Sequence, residues 1–557
     1  MKQTIEKTVK DALENQFGKI GVSFLVEAPK EKAHGDYSTN VALALAKELK
    51  KNPMEVAEII LEKIGKQAFL EKVEVASPGF INFYLSKDFF IKNVEEVLKS
   101  KEAFGKDDSL KGKKIMVEFT DPNPFKEFHI GHLMSNTIGE SISKVLEFQG
   151  AIVKRANYQG DVGIHVAKAI FGKMKNPDFS WQQSYVAGNK AYEEDEAAQK
   201  EIVVLNKKIF EKSDKAVNKL YDQGKKESLK NFEEIYKKLG TKFDYYFFES
   251  QVADIGKKVV EEGLAKGVFE KGEKGAVIFK GEKVGLHTRV FINSENLPTY
   301  EAKDLALPEL KYKNLKYDKS IIITAHEQNA YFDVMLAALK EMKPELAEKT
   351  MHIGHGMLRL SEGKMGSRKG NVITAESLIE KAKEMILEKI QERNFSEKDK
   401  QMIAEKVAIG ALKYFILKQS IGGDVIYDSK KALSFEGDSG PYLQYALVRS
   451  LSILEKAKKE RIKDNTAGKG IAEVSDLERM MIYFPEIVAK AGQNYEPHYI
   501  SLYLTELASA FNNYYANNKI VGKEDIASPY KVAVAKAFSI IMKNGLWILG
   551  IPTPERM

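Results

Sequence analysis

The chain has 557 residues, of which 43% are hydrophobic and 30% charged, a formal net charge of +7 and no cysteine. That length suits about three or four domains of ordinary globular composition; the charge permits a polyanionic partner without requiring one, and the lack of cysteine excludes disulfides and thiolate zinc sites. No apolar run is long enough to span a bilayer, and the opening MKQTIEKTVKDALENQF is an amphipathic charged helix rather than a signal peptide, so a cytosolic location is expected.

Residues 1–110 read as a small α+β domain. A helix opens it, GVSFLVEAP follows as a strand, helices flank a break at Asn52-Pro53, VEVASPGFINFYLS is strand-like and DFFIKNVEEVLKS closes with a helix. A polar linker at 105–113 leads into KKIMVEFTDPNPFKEFHIGHLMSNTIGESISKVLEFQGAIVKRANYQGDVG, which reads as strand, loop, helix, strand. KIMVEF is a short apolar run and TDPNPFKEF is turn chemistry. Ile130, Met134, Ile138, Ile142 and Val145 recur at helical spacing until Gly150 stops the helix. Such a βαβ unit binds ligands beyond the carboxyl ends of its strands.

At that end stand His129, Ile130, Gly131 and His132. Two imidazoles three apart at a helix start can share a face, Gly131 leaves room for a flat ring against the backbone, and a helix N-terminus favours anions. The chain has no Walker A motif, so ATP binds here or not at all. Two surface histidines at a helix cap are the plain alternative.

Long charged helical stretches fill 175–245, read as an inserted hairpin with solvated faces. FDYYFFES, GAVIFKGEK and HTRVFINSEN are strand candidates, LPTYEAKDLALPEL is a helix, and KSIIITAHEQNAYFDVMLAALKEMK is a second strand–loop–helix. HIGHGMLRL leads to a second cationic loop, Lys364-Met365-Gly366-Ser367-Arg368-Lys369-Gly370, whose compact ammonium groups suit phosphate oxygens. From about residue 376 the pattern is almost wholly helical. The expected fold is therefore α/β. A doubly wound parallel sheet, a Rossmann-like catalytic core, spans 111–375; the α+β domain precedes it and an all-helical domain at 376–557 follows.

HIGH followed by KMGSRKG resembles the paired signature of class I aminoacyl-tRNA synthetases, although Gly366 and Ser367 depart from the usual KMSKS wording. SPGFINFYLS, HGDYSTNVA, DPNPFKEFHIGH, LPTYEAKDLAL, GKMGSRKGNV, GPYLQYA and GIPTPERM carry the resemblance to the arginyl-tRNA synthetase family across nearly the whole chain. The resemblance implies an enzyme that activates L-arginine with ATP to arginyl-adenylate and transfers it to tRNA(Arg). It further implies Mg²⁺ as companion of ATP, no zinc, no permanent cofactor and no protein-held metal, an N-terminal domain that binds tRNA, a C-terminal domain that binds the anticodon, and a monomer that does not touch membranes.

By family match, His129, His132 and Lys126 stabilise the ATP phosphates, Lys364 reaches the pyrophosphate side, and Gly131 and Met365 line the nucleotide site. Tyr300 and Asp304, four apart on one helix face, match the pair that reads arginine's side chain; Glu249 matches a second acid, Glu118 and Asn123 hold polar groups of the substrate, and Gln328 is a further contact. A helix cap with an exposed tyrosine is the alternative for Tyr300 and Asp304, and an ordinary loop residue for Glu249 and Gln328. Phe80 and Asn82 match positions that meet tRNA, with a buried strand phenylalanine as the alternative; Tyr442, Tyr445, Arg449 and Tyr515 are candidates for anticodon stacking, or else core residues at helical spacing. Competing readings are a nucleotidyltransferase with HxGH, which is usually shorter, and a non-catalytic RNA-binding relative, which would lack the histidines or Lys364. A synthetase for another amino acid is the third; the cysteinyl type needs a cysteine-bound zinc.

Overall fold

The computed structural model describes residues 1–19, 21–360 and 373–557, so the KMGSRKG loop with Lys364 and Met365 lies outside the described residues. The chain forms two compact units. One gathers Met1–Gly105, Tyr445–Ala489 and Tyr503–Gly545; the other gathers Lys106–Gln444, Lys490–Leu502 and Leu546–Met557.

In the first unit the chain runs α1 (Lys2–Phe17), β1 (Val26–Glu27), β2 (Tyr37–Thr39), α2 (Val41–Leu49), α3 (Pro53–Ile64), β3 (Leu70–Ala76), β4 (Phe80–Leu85) and α4 (Lys87–Ser100). The strands form an antiparallel sheet in the order β1-β2-β4-β3. The Asn52-Pro53 break is a helix start: Asn52 caps α3 by accepting the Met54 amide, and Pro53 occupies the first helical position, where no amide is needed. The strand expected over GVSFLVEAP shrinks to two residues, Val26 and Glu27, which pair with Thr39 and Ser38 of the three-residue β2. VEVASPGFINFYLS is two strands paired as a hairpin, not one. Apolar faces of α1, α2 and α3 close over the sheet through Ile5, Val9, Leu45, Ile60 and Phe83.

The second unit is built on β5 (Lys114–Glu118), α5 (Ile130–Phe148), β6 (Ile152–Gln159), α6 (Ile164–Lys175), α7 (Trp181–Glu194), α8 (Glu196–Glu211), α9 (Lys215–Leu239), β7 (Tyr245–Phe248) and α10 (Glu249–Ala265). It continues with β8 (Glu270–Lys271), β9 (Val277–Phe279), β10 (Arg289–Ile292), α11 (Tyr300–Asn314), β11 (Lys319–Ala325), α12 (Asn329–Met342), α13 (Pro344–Lys349), β12 (Thr350–His355) and β13 (Leu358–Leu360). Then come α14 (Ala375–Ile390), α15 (Glu397–Leu417), β14 (Val425–Tyr427) and α16 (Ser429–Ala432). Five parallel strands lie in the order β12-β11-β5-β6-β7. Strand order reverses between β5 and β11, and the crevice at such a switch point is where doubly wound sheets bind ligands. β5 and β11 are buried on both faces, which accounts for their unbroken apolar runs. FDYYFFES joins this sheet as β7, whereas GAVIFKGEK and HTRVFINSEN form a separate antiparallel sheet, β10-β9-β8, around Phe269, Phe279 and Phe291.

The remaining helices are α17 (Gly440–Lys459), α18 (Asp476–Met481), α19 (Phe484–Asn494), α20 (His498–Asn517) and α21 (Ser528–Ile548). Residues 546–557 belong to the second unit. There the buried Lys413 of α15 donates both to the Leu239 carbonyl at the end of α9 (2.6 Å) and to the Gly550 carbonyl (2.9 Å), and Gln444 donates to the Pro552 carbonyl (2.6 Å).

α6 and α7 cross backbone to backbone. A Cβ on Gly172 would stand 1.9 Å from the Ser184 carbonyl oxygen, and one on Gly188 1.9 Å from that of Lys168. Replacing glycine by alanine inside a helix ordinarily gains about 1 kcal/mol. Here the sign reverses, because backbone has to give way: Gly172→Ala is expected to destabilise the protein by about 1–3 kcal/mol. The check is the thermal unfolding midpoint, and an unchanged or higher Tm would mean that the two helices separate freely.

Candidate active site

The loop from β5 to α5 is strained and firmly held. Thr120, Asp121 and Phe125 all take left-handed backbone conformations (φ 80°, 45° and 71°), each costing roughly 1–3 kcal/mol. Hydrogen bonds offset this. The Thr120 amide donates to Ser135 Oγ (3.0 Å), the Tyr158 amide to Asp121 Oδ1 (2.7 Å) and the Phe125 amide to Ser228 Oγ of α9 (2.9 Å).

The loop delivers His129 to the N-cap of α5, where two imidazoles cap the helix reciprocally. His129 Nδ1 accepts the Gly131 amide (3.1 Å) and His132 Nδ1 accepts the His129 amide (3.2 Å). With Nδ1 accepting on both rings, the proton of each neutral imidazole resides on Nε2. The rings stack at 3.6 Å and 17°. Gly131 makes this possible, since a Cβ there would lie 2.9 Å from His129 Cε1. Burial, followed by neighbouring Lys126, lowers His129 to about 4; burial, followed by His129, holds His132 well below the usual range. Lys126 lies 4.6 Å above the Tyr185 ring, and burial, with help from Lys168, lowers it to about 8. The assembly offers two neutral Nε2–H donors beside one ammonium at a helix N-terminus, a set suited to phosphate oxygens.

The tetrapeptide recurs as His352–His355 on β12 and builds nothing of the kind. Residues three apart on a strand face opposite sides. His352 bonds Thr324 Oγ1 (2.8 Å) and stacks on Phe332, while His355 Nδ1 meets the Gly356 carbonyl (2.6 Å).

Across the crevice, α11 presents Tyr300 and Asp304 on one face, the tyrosine half exposed (50%). Tyr331 of α12 donates to Asp304 Oδ2 (2.5 Å). Glu249, first residue of α10, pairs with Lys303, and Glu118 pairs with Lys311 (2.9 Å). Asn123 and Glu249 meet over Gly160, where a Cβ would lie 2.3 Å from Asn123 Oδ1 and 3.1 Å from Glu249 Oε1. Among the described residues, Glu118 and Glu249 each have a lysine and Asp304 has none within ion-pair distance. Burial, then repulsion from Glu249 and Glu118, raises Asp304 to about 7 against the opposing Tyr331 hydrogen bond.

The structure thus brings together His129, Gly131, His132 and Lys126 on one side, and Asn123, Glu249, Tyr300 and Asp304 on the other. Glu118, expected to touch substrate, has its carboxylate engaged by Lys311. Gln328 stands exposed just beyond β11. Tyr331, Lys303 and Lys311 escaped the sequence reading. The two lysines carried one signal, their place on the same helix as Asp304, but a lysine on a helix is ordinarily a surface residue.

Among the RNA candidates, Phe80 is exposed, so it is not the buried strand phenylalanine of the alternative, and Asn82 is buried with its carbonyl accepting from Ser38 (2.7 Å). Arg449 of α17 lies 4.7 Å from the Tyr445 ring and 5.3 Å from the exposed Tyr515 of α20, and it donates to Asn512 Oδ1 (2.6 Å). Tyr442 is half-buried in the first turn of α17.

Residues 93–429 match the family described as tRNA synthetases class I (R), catalytic domain; residues 2–85 match the arginyl tRNA synthetase N terminal domain, and residues 443–557 the DALR anticodon binding domain. The arginine–tRNA ligase of Treponema denticola is 32% identical over 558 residues, covering 96% of this chain and 94% of the relative. That of Lactococcus lactis subsp. lactis is 32% identical with 100% of both chains covered. The crystal structure of arginyl-tRNA synthetase from Plasmodium falciparum shares the fold, with a TM-score of 0.81 at 22% identity, covering 100% of this chain and 99% of that one.

The histidine cap makes stability depend on pH. His129 titrates near 4 when folded and near 6.5 when unfolded. The cap's contribution is therefore complete above about pH 6.5 and is lost as pH falls toward 4, because the unfolded chain takes up protons first. His129→Asn keeps a cap acceptor and removes the titration. Urea midpoints at pH 7, 6 and 5 should fall less steeply for this variant than for the parent; equal slopes would mean that the cap is not protonation-sensitive.

Proposed function

The chain belongs to the arginyl-tRNA synthetase family, and from that premise we propose a division of labour among its residues. The reaction is the ATP-dependent ligation of L-arginine to tRNA(Arg) through arginyl-adenylate. Mg²⁺ enters with ATP as part of the nucleotide complex. His129 and His132 donate their Nε2 protons to oxygens of the α-phosphate as charge builds up there, and Lys126 adds a positive charge beside them. Neither histidine has to ionise, so the donors are in place before the reaction begins. Lys364 and Met365 complete the nucleotide side from the KMGSRKG loop.

Asp304 carries the case for arginine. It is an acid in a carboxylate-rich wall whose neighbours each have a lysine and which lacks a cation of its own. A guanidinium supplies that charge and, being planar with five donors, engages Asp304, Asn123 and Glu249 together. Tyr300 covers the aliphatic stem, Gln328 contacts the amino-acid end, and Glu118, held by Lys311, sets the floor of the pocket. Phe80 and Asn82 in the N-terminal domain (1–110), and Tyr442, Tyr445, Arg449 and Tyr515 in the C-terminal domain (376–557), contact the tRNA, and the catalytic domain spans 111–375. The enzyme works as a cytoplasmic monomer; among the described residues no helix is long and apolar enough to cross a membrane.

The direct test is aminoacylation of total tRNA with each amino acid in turn: arginine is expected to be charged, in an ATP-dependent manner, and charging of another amino acid instead would overturn the reading. His132→Ala should fold yet lose about 10²–10³ in rate, the scale for removing one transition-state donor; a folded variant of near-normal rate removes the histidines from the mechanism. Asp304→Asn should lower kcat/KM for arginine by about 10-fold or more, since a charge-assisted hydrogen bond is worth roughly 1.5–3 kcal/mol, with KM for ATP unchanged. In the parent enzyme KM for arginine should rise as pH drops below about 7, where Asp304 takes up its proton, and in the variant that dependence should vanish. Equal effects on ATP and arginine would place the arginine pocket elsewhere.

A further inference from the structure

Asp161 is fully buried in the turn between β6 and α6, and no role assigned above uses it. Its carboxylate collects donors from two helices. From α9 come the Tyr221 hydroxyl (2.8 Å) and the Lys225 ammonium (2.7 Å); from α10 come the Ser250 amide (2.9 Å) and hydroxyl (2.6 Å). The Ser250 amide is one of the first-turn donors that α10 cannot satisfy itself, so Asp161 caps that helix from outside, with its charge at the favourable end. The residue before Ser250, opening α10, is Glu249. The residue before Asp161 is Gly160, whose missing Cβ makes the space in which Asn123 and Glu249 meet. Lys225 is anchored again 3.7 Å above the ring of Phe248, which leads into α10. His165 fixes the other side of the turn by bonding the Gly160 carbonyl (2.8 Å).

Capping α10 needs one acceptor, which a neutral side chain could supply. A buried carboxylate that also binds a lysine and a tyrosine from α9 does more, because it ties the start of α10 to the inserted helix. α9 in turn supports the loop that carries Asn123, through Ser228 and the Phe125 amide. Asn123 and Glu249 are thereby referred to one helix. The phosphate side has separate supports: His129 and His132 cap one another, and Thr120 is held by Ser135 of α5.

We propose that Asp161 is a positioning residue for arginine: it holds Glu249 opposite Asn123 at the spacing a guanidinium requires and touches neither arginine nor ATP. The inference rests on the reading of Glu249 and Asn123 as arginine contacts.

Steady-state aminoacylation by the full chain tests it. Asp161→Asn keeps the size of the side chain and an acceptor for the Ser250 amide, and loses the charge that holds Lys225. KM for arginine is expected to rise about 10-fold or more, with kcat and KM for ATP within about 3-fold of the parent. Lys225→Met cuts the tie from the other end and should move KM for arginine in the same direction. The two changes combined should raise it by less than the product of the single effects, as residues acting through one contact do. Should Asp161→Asn fail to fold, Lys225→Met carries the test, and an unchanged KM for arginine in it overturns the proposal. So does a parallel rise in KM for ATP, which would mark a general loosening of the fold. Glu249→Gln, measured alongside, separates the two levels. If it leaves KM for arginine unaltered, the pocket assignment fails; if it raises KM while Asp161→Asn and Lys225→Met do not, only the role of Asp161 fails.

Discussion

The active-site crevice is governed by an imbalance of buried charge. Glu118, Glu249 and Asp304 converge on α11, which supplies Lys303 and Lys311 to the first two and nothing to the third. A carboxylate withdrawn from water with a hydroxyl but no cation opposite it is pushed toward its protonated form, and the rise of Asp304 toward 7 is the form that cost takes. On the proposed assignment, an arriving guanidinium settles the imbalance. Selectivity against lysine follows from shape, since an ammonium is a point charge and leaves part of a planar acceptor set unpaired, a strongly penalised outcome in a dry site.

The opposite wall solves a different problem with different means. Two histidines proposed to donate to a polyanion at neutral pH can do so as neutral rings, because each has its Nδ1 occupied by a backbone amide and its Nε2 proton free for a ligand. The left-handed residues that bring them there are tolerated because α5, β6 and α9 each hold part of the loop. On the proposed assignment the nucleotide side shares α9 with the amino-acid side and adds a support of its own, the reciprocal histidine cap. That cap is why substitutions are expected to split their effects on the two Michaelis constants.

Periodicity and turn chemistry made the βαβ unit, the parallel sheet and the helix that starts at His129 legible, because they are local. The shared helix face of Tyr300 and Asp304 was legible for the same reason, the two being one helical turn apart, whereas their assignment to arginine came from the resemblance. What was not legible depended on contacts distant in the chain. Tyr331 and Lys303 look like surface residues until α10, α11 and α12 are packed together, and Asp161 reads as a turn aspartate until α9 and α10 close on it. The letters HIGH occur twice, and only the strand–loop–helix context distinguishes the helix-capping pair from the pair on β12. β9 and β10 have strand composition, which cannot say which sheet they join.

The hold of Lys413 on both the Leu239 and Gly550 carbonyls has a consequence for biosynthesis. A chain emerging from the ribosome exposes α9 and α15 before residues 546–557, so the Gly550 carbonyl reaches Lys413 later than the Leu239 carbonyl can. The second unit therefore cannot reach its final packing until residues 546–557 have emerged, and an interrupted message that stops short of Leu546 yields a unit that lacks the segment closing it.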